Sequence, residues 1–95
     1  MLPLTLSDVR AAAPLVGPHV HRTPLVSSRT LSEWLGTRVS LKLEALQKTG
    51  SFKPRGAFNQ LLHLTPAARA RGAVGGSGGN YAQGLAYAGR ELGVP

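Results

Sequence analysis

The chain has no cysteine, so neither a disulfide nor a thiolate metal site can be built from it, which fits a reducing compartment. Aromatic residues make up only 5%, too few for the stacking platforms of single-strand nucleic-acid binders. Acidic residues are scarce, 4 against 11 Lys plus Arg, for a net charge of +7. The basic residues stand singly, at Arg10, Arg22, Arg29, Arg38 and Arg55, and only Arg69 and Arg71 lie close together. Without a clustered face the excess charge does not point to a nucleic-acid partner. No apolar run approaches the ~20 residues of a membrane span. The opening Met1-Leu2-Pro3-Leu4-Thr5-Leu6 lacks the basic stretch and long apolar core of a secretion signal. The expectation is a cytoplasmic protein with neither a membrane nor a nucleic-acid partner.

What is present is a hydrophobic content of 42%, carried by Leu, Val and Ala. A chain of 95 residues allows one small domain that buries about 60–65% of its unfolded surface. Residues 1–95 are expected to form a single incomplete domain, the N-terminal portion of something larger. Thr5 or Ser7 can cap a helix ending near Val16, before Gly17-Pro18. His19 and His21 follow without acidic or cysteine partners and are expected to be loop or packing residues, with no metal site. Thr23 to Val26 reads as extended, because Pro24 restricts the residue before it. Ser27 or Ser28 caps a helix from Arg29 to Leu35, closed by Gly36, with Leu31 and Trp34 on its buried face.

Val39, Leu41 and Leu43 alternate with Ser40, Lys42 and Glu44, the period of a strand with one covered face. A helix from about Pro54 to Leu64 follows, then a short one opened by Thr65-Pro66 and running to Arg71. Gly72 to Gly75 is small enough for a buried strand. From Asn80 to Leu92, Ala82, Leu85, Ala86, Gly89 and Leu92 form a stripe of small residues that would let a helix lie close to a sheet. The alternation predicts an α/β fold, a few-stranded parallel sheet with flanking helices.

Two stretches carry chemistry. Lys53 lies in Lys48-Thr49-Gly50-Ser51-Phe52-Lys53-Pro54-Arg55-Gly56-Ala57, a polar turn between strand and helix, with Ser51 as candidate cap. In the first helical turn, the positive helix end and nearby Arg55 disfavour an ammonium, and a neutral amine is the nucleophile that condenses with an aldehyde. The second stretch is Gly75-Gly76-Ser77-Gly78-Gly79-Asn80-Tyr81, a strand-to-helix loop suited to anions. It is neither a dinucleotide fingerprint, since Tyr81 occupies the third glycine slot, nor a phosphate loop, since no lysine follows.

The segment Glu44 to Ala57 closely resembles the cofactor-attachment segment K-T-G-S-F-K-x-R-G-A of the serine/threonine dehydratase family, fold type II pyridoxal 5'-phosphate enzymes related in fold to the tryptophan synthase beta subunit. Ser77 to Ala86 is similar to that family's S-[SAG]-G-N-H-[AG]-Q-[GA] loop. The resemblance implies that Lys53 is the attachment and catalytic lysine, that Phe52, Lys53 and Asn80 bind the cofactor, and that Ser77, Gly78, Gly79, Asn80 and Tyr81 hold the substrate carboxylate. Tyr81 replaces the common His, and Gly78 stands where racemases of the family carry a serine acid/base. The implied activity is dehydration and deamination of L-threonine or L-serine to a 2-oxo acid and ammonia, in a homo-oligomer. Serine racemase and hydroxyaspartate dehydratase activities are the alternatives within the family. A non-catalytic anion-binding module or remnant is the alternative outside it.

Overall fold

The computed structural model describes residues 3–95. Helix α1, Leu6–Val16, opens on a reciprocal cap. Asp8 N–H donates to the Thr5 hydroxyl oxygen at 3.3 Å, and the Asp8 carboxylate accepts from Thr5 N–H at 2.7 Å. The Thr5 hydroxyl also donates to that carboxylate at 2.6 Å, and this bond, together with the one from Thr5 N–H, holds the Asp8 carboxyl below the usual carboxylate range. Pro14 lies inside the helix, where it removes one internal hydrogen bond. A 3₁₀ turn over Gly17–His19 then ends the run.

Strand β1, Leu25–Ser27, leads to helix α2, Arg29–Leu35, and back to strand β2, Ser40–Lys42. Ser28 caps α2 by accepting from Leu31 N–H at 3.2 Å. Gly36 closes it at φ 64°, a left-handed conformation that glycine adopts without penalty. The two strands pair antiparallel, with Val26 opposite Leu41, which corrects the expected parallel sheet. The reason is local. The seven-residue α2 ends in a reversing glycine, so Val39 returns beside Ser28, whose N–H donates to its carbonyl at 3.0 Å.

Trp34 departs from expectation as well, being 77% exposed. Among the described residues α2 makes no broad contact with the helical core, so Leu31 is half-buried while Trp34 and Leu35 are left exposed.

Helices α3, Lys53–Leu62, α4, Pro66–Arg71, and α5, Asn80–Leu92, make up the remainder. The largest contact in the chain is α3 against α5. Ala57, Phe58 and Leu61 of α3 meet Ala88 of α5, with Val16 and Val94 closing the cluster. His19 stacks on Phe58 at 4.8 Å between ring centroids, and Tyr87 meets the same ring edge-on at 6.0 Å. His19 is thus a packing residue.

The stripe on α5 works differently from expectation. Gly84, Ala88 and Gly89 are its buried small residues, while Ala82 and Ala86 are exposed. Its close approach is to a helix and not to a sheet. Residues 72–75 form no ladder; Ala73 N–H donates once, to the Pro95 carbonyl at 2.8 Å, and Val74 is fully exposed. A strand needs a hydrogen-bonding partner along its length, and among the described residues only Pro95 bonds to residues 73–75.

Candidate cofactor site

The lysine segment is shaped by two successive left-handed residues. Thr49 has φ 64° and Gly50 φ 76°, inside the 3₁₀ turn Lys48–Gly50. A β-branched residue at positive φ is strained by about 1–3 kcal/mol and persists only where its surroundings hold it. The turn swings the chain so that extended Ser51 and then Phe52 lead into α3, whose first residue is Lys53. The buried Ser51 hydroxyl accepts from Lys53 N–H at 3.3 Å. Ser51 therefore does satisfy a first-turn N–H, although Phe52 is the cap residue by backbone geometry. Pro54, at the second helical position, lacks only an N–H that had no partner to lose. Lys53 itself is half-buried, its Nζ 4.9 Å from the centroid of the exposed Phe52 ring.

A polar clamp fixes this turn to the preceding loop. Arg55 makes a two-pronged bond to Glu44, Nε to Oε2 at 2.9 Å and Nη2 to Oε1 at 2.8 Å. It also donates to the His21 carbonyl at 3.2 Å. The Thr23 hydroxyl donates to Glu44 Oε1 at 2.6 Å. The Arg55 guanidinium, against the opposing cost of desolvation, holds the Glu44 carboxyl down to about 2, and Glu44 in turn raises Arg55. Gln47, almost fully buried, accepts from His21 N–H and donates to the His21 carbonyl, both at 2.9 Å.

The sequence sets Arg55 close to the Lys53 amine. In the structure its charge is matched by Glu44, because the turn brings together two side chains eleven residues apart. The sequence reading missed this clamp; the signal available was that Glu44 is one of only 4 acids in the chain and stands just before the lysine word.

The glycine-rich loop enters α5 through Gly79, which offers no side-chain cap, so the first N–H groups of that helix have no internal acceptor. The Ser77 hydroxyl accepts from Gly79 N–H at 3.1 Å. Ser77, Gly78, Gly79 and Asn80 are exposed and Tyr81 is half-buried. The Tyr81 hydroxyl donates to Gln60 Oε1 at 3.1 Å, tying its ring to the far half of α3 and leaving its backbone N–H as what it offers the loop. Gly84 lies against the lysine itself: a Cβ there would stand 3.0 Å from Lys53 C and Cβ and 3.1 Å from Pro54 N. Asn80 is one helical turn before Gly84 and shares its face. The packing of α5 on α3 thus sets the start of α3 against the α5 face that carries Gly84 and, one turn earlier, Asn80.

These residues suit pyridoxal 5'-phosphate by their chemistry: an amine, a side-chain amide, and a run of backbone N–H donors. A Cβ at Gly76, Gly78 or Gly79 would meet nothing within 4 Å, so the loop leaves its backbone open to a ligand.

The fold and this donor set define the class. The family described as Pyridoxal-phosphate dependent enzyme (PALP) matches residues 16–95, and the chain belongs to it. Among curated relatives, the chain is 49% identical over 92 residues to L-threonine ammonia-lyase of Thermotoga maritima, covering 97% of this chain and 23% of that protein. It is 49% identical over 88 residues to L-threo-3-hydroxyaspartate ammonia-lyase of a Pseudomonas species, covering 93% and 28%. Among solved structures, the threonine deaminase of T.th. superposes with TM-score 0.79 at 49% identity, covering 96% of this chain and 32% of that one. Serine racemase of Dictyostelium discoideum gives TM-score 0.87 at 38% identity, covering 96% and 30%. The neighbours are fold type II enzymes, and the antiparallel pair with its helices is a partial domain of that fold. The chain spans about a quarter to a third of the length of these relatives.

Proposed function

We propose that the protein catalyses the dehydration and deamination of L-threonine or L-serine, giving a 2-oxo acid and ammonia, with Lys53 as the lysine that attaches pyridoxal 5'-phosphate. The observation that supports this is Lys53 at the first position of α3 with Gly84 of α5 packed against its backbone, one helical turn after Asn80. When bound, the cofactor supplies an electron sink for the charge left on the substrate α-carbon. Lys53 would hold it, and its free amine would take the α-proton at Nζ. Ser77, Gly78, Gly79, Asn80 and Tyr81 bind the substrate carboxylate, chiefly through backbone N–H groups, so that the α C–H bond faces the lysine.

Asn80 would hold the cofactor's ring through its side-chain amide, and Phe52, already beside the lysine amine, would help to bind it. Gly78 has no proton to deliver from the opposite face, which favours elimination of the β-hydroxyl over inversion at the α-carbon. Loss of water followed by hydrolysis balances as 2-oxobutanoate plus ammonia from threonine. The same reading takes a cytoplasmic homo-oligomer as the working form. No helix among the described residues is long and apolar enough to cross a membrane.

The test is borohydride reduction of the natural protein followed by peptide mass spectrometry, with a coupled assay of 2-oxo acid release. A reduced pyridoxyl group on the peptide carrying Lys53, its loss in Lys53→Ala, and a fall in turnover of about a thousandfold or more support the reading. Cofactor uptake unchanged in Lys53→Ala would sink it and leave an anion-binding module in its place.

A further inference from the structure

Glycine in the interior of a helix weakens the helix, since it orders a flexible backbone and contributes no side chain. Gly84 lies well inside Asn80–Leu92, is buried, and is not among the residues with positive φ. Its backbone conformation therefore does not call for glycine. Space does, because a Cβ at Gly84 would stand 3.0 Å from Lys53 C and Lys53 Cβ and 3.1 Å from Pro54 N.

The atoms in the way are backbone atoms and the lysine's own stem, so no flexible side chain can turn aside. The backbone they belong to is held: Pro54 is buried with its φ fixed by its ring, and Lys53 N–H is bonded to Ser51. A side chain at position 84 must therefore push α5 away from the start of α3, by a few tenths of an ångström for a methyl group. Asn80 and the loop before it ride on α5 and move with it.

We infer that Gly84 is a positioning residue for Lys53: the missing side chain sets the distance between the backbone that carries the amine and the helix that carries Asn80 and the glycine-rich loop. The inference rests on the reading of Lys53 as the attachment lysine and adds a residue that touches neither substrate nor cofactor. The chain contains its own control in Gly89. A Cβ there would stand 3.1 Å from the Val94 carbonyl, an equally close backbone contact on the same helix, directed at the chain after α5 and not at α3.

The experiment compares Gly84→Ala, Gly84→Val and Gly89→Ala in the natural protein, freed of cofactor and then mixed with pyridoxal 5'-phosphate. The rate of attachment is read as the borohydride-trapped adduct on Lys53, and crystal structures of the variants give the position of Lys53 Cβ relative to residues 75–80. The expected result is attachment slowed about tenfold or more by Gly84→Val, with Lys53 and α5 further apart, and little changed by Gly84→Ala, since the family's loop pattern admits alanine at this place, while Gly89→Ala attaches at the parent rate. Rescue of the Gly84→Val rate by raising cofactor concentration alone would point to binding and not to amine placement, and would overturn the inference. So would a parent rate in Gly84→Val with Lys53 unmoved. If Gly84→Val fails to fold, Gly84→Ser, larger than the methyl group that the pattern admits, takes its place, and a parent rate with Lys53 unmoved overturns the inference in the same way. A parent protein that forms no adduct at all sinks the proposed function, and the displacement measured in the crystals then judges the positioning role by itself.

Discussion

Glu44 and Arg55 form the one ion pair among the described residues that is both two-pronged and partly shielded, with side-chain exposures of 17% and 36%. The ordinary value for this carboxyl is 4.5, and the bond to Arg55 takes it to about 2 in the folded chain. A depressed carboxylate contributes stability that is fully present above its unfolded value and is lost as pH falls through the folded one. The window is therefore from about 4.5 down to about 2. After allowing for solvent screening at a pair this near the surface, the contribution is about 1–2 kcal/mol.

Melting curves across that window should show the parent protein losing stability more steeply than Glu44→Gln, which starts lower because Arg55 is left without its counter-charge. Parallel curves would mean that the pair is energetically silent. The bonds of Glu44 and Arg55 to Thr23 and the His21 carbonyl make this a test of the lysine turn as well, since Glu44 and Arg55 stand on either side of it in the chain and the clamp ties both to the loop before.

At the scale of elements, the helical part of the fold was legible because its signals are local. Thr5 with Asp8, Ser28 with Gly36, and Thr65 before Pro66 each fix a helix end through atoms within four residues, and the helices begin or end where those residues stand. The lysine word is likewise a local pattern, and the turn, the start of α3 and the open loop before α5 follow its order. Strand direction was not legible. Pairing depends on which segment comes alongside, and the alternation at Val39 to Leu43 carries no information about a partner. Trp34 was misplaced for the same reason, because three-residue spacing says which side chains share a face and not whether anything covers it. Gly84 sat unremarked inside the cofactor loop pattern, since only the packed structure says which helix backbone it meets.

The α3 and α5 pair itself depends on Phe58, fully buried between His19 and Tyr87. Truncation by Phe58→Ala should cost about 3–5 kcal/mol through lost contacts and the cavity left behind, read as a drop in denaturant midpoint with little change in slope. Because Gly84 and Phe58 face the same helix pair, the variant should also loosen the site, and a loss below about 1 kcal/mol would show that the pair is held elsewhere.

Considered as a whole molecule, the chain is long for its size. Its radius of gyration is 16.0 Å, with extents of 52 × 28 × 24 Å, where a compact domain of this length has about 12 Å. Its buried apolar cluster is Val16, Ala57, Phe58, Leu61, Ala88 and Val94, whereas Leu25, Trp34, Leu35, Leu46, Phe52 and Val74 are exposed along with other large apolar side chains. Asn59 Oδ1 is buried without a hydrogen-bond partner, beside an apolar groove between α1 and α3. The exposed apolar side chains and the unpartnered Asn59 oxygen are costly in water, and nothing among residues 3–95 covers or pairs them. A two-stranded pair and two helix-on-helix contacts, α3 on α5 and the smaller α1 on α3, are a thin basis for cooperative folding.

The 95-residue polypeptide prepared alone should therefore unfold over a broad temperature range and bind a hydrophobic dye strongly. It should also take up pyridoxal 5'-phosphate weakly and release no 2-oxobutanoate from threonine, because a loosely held α5 cannot keep the loop at a fixed distance from Lys53. Sharp two-state melting of that polypeptide together with steady 2-oxobutanoate release would refute this. It would mean that the contact between α3 and α5 suffices both to fold the chain and to place the amine.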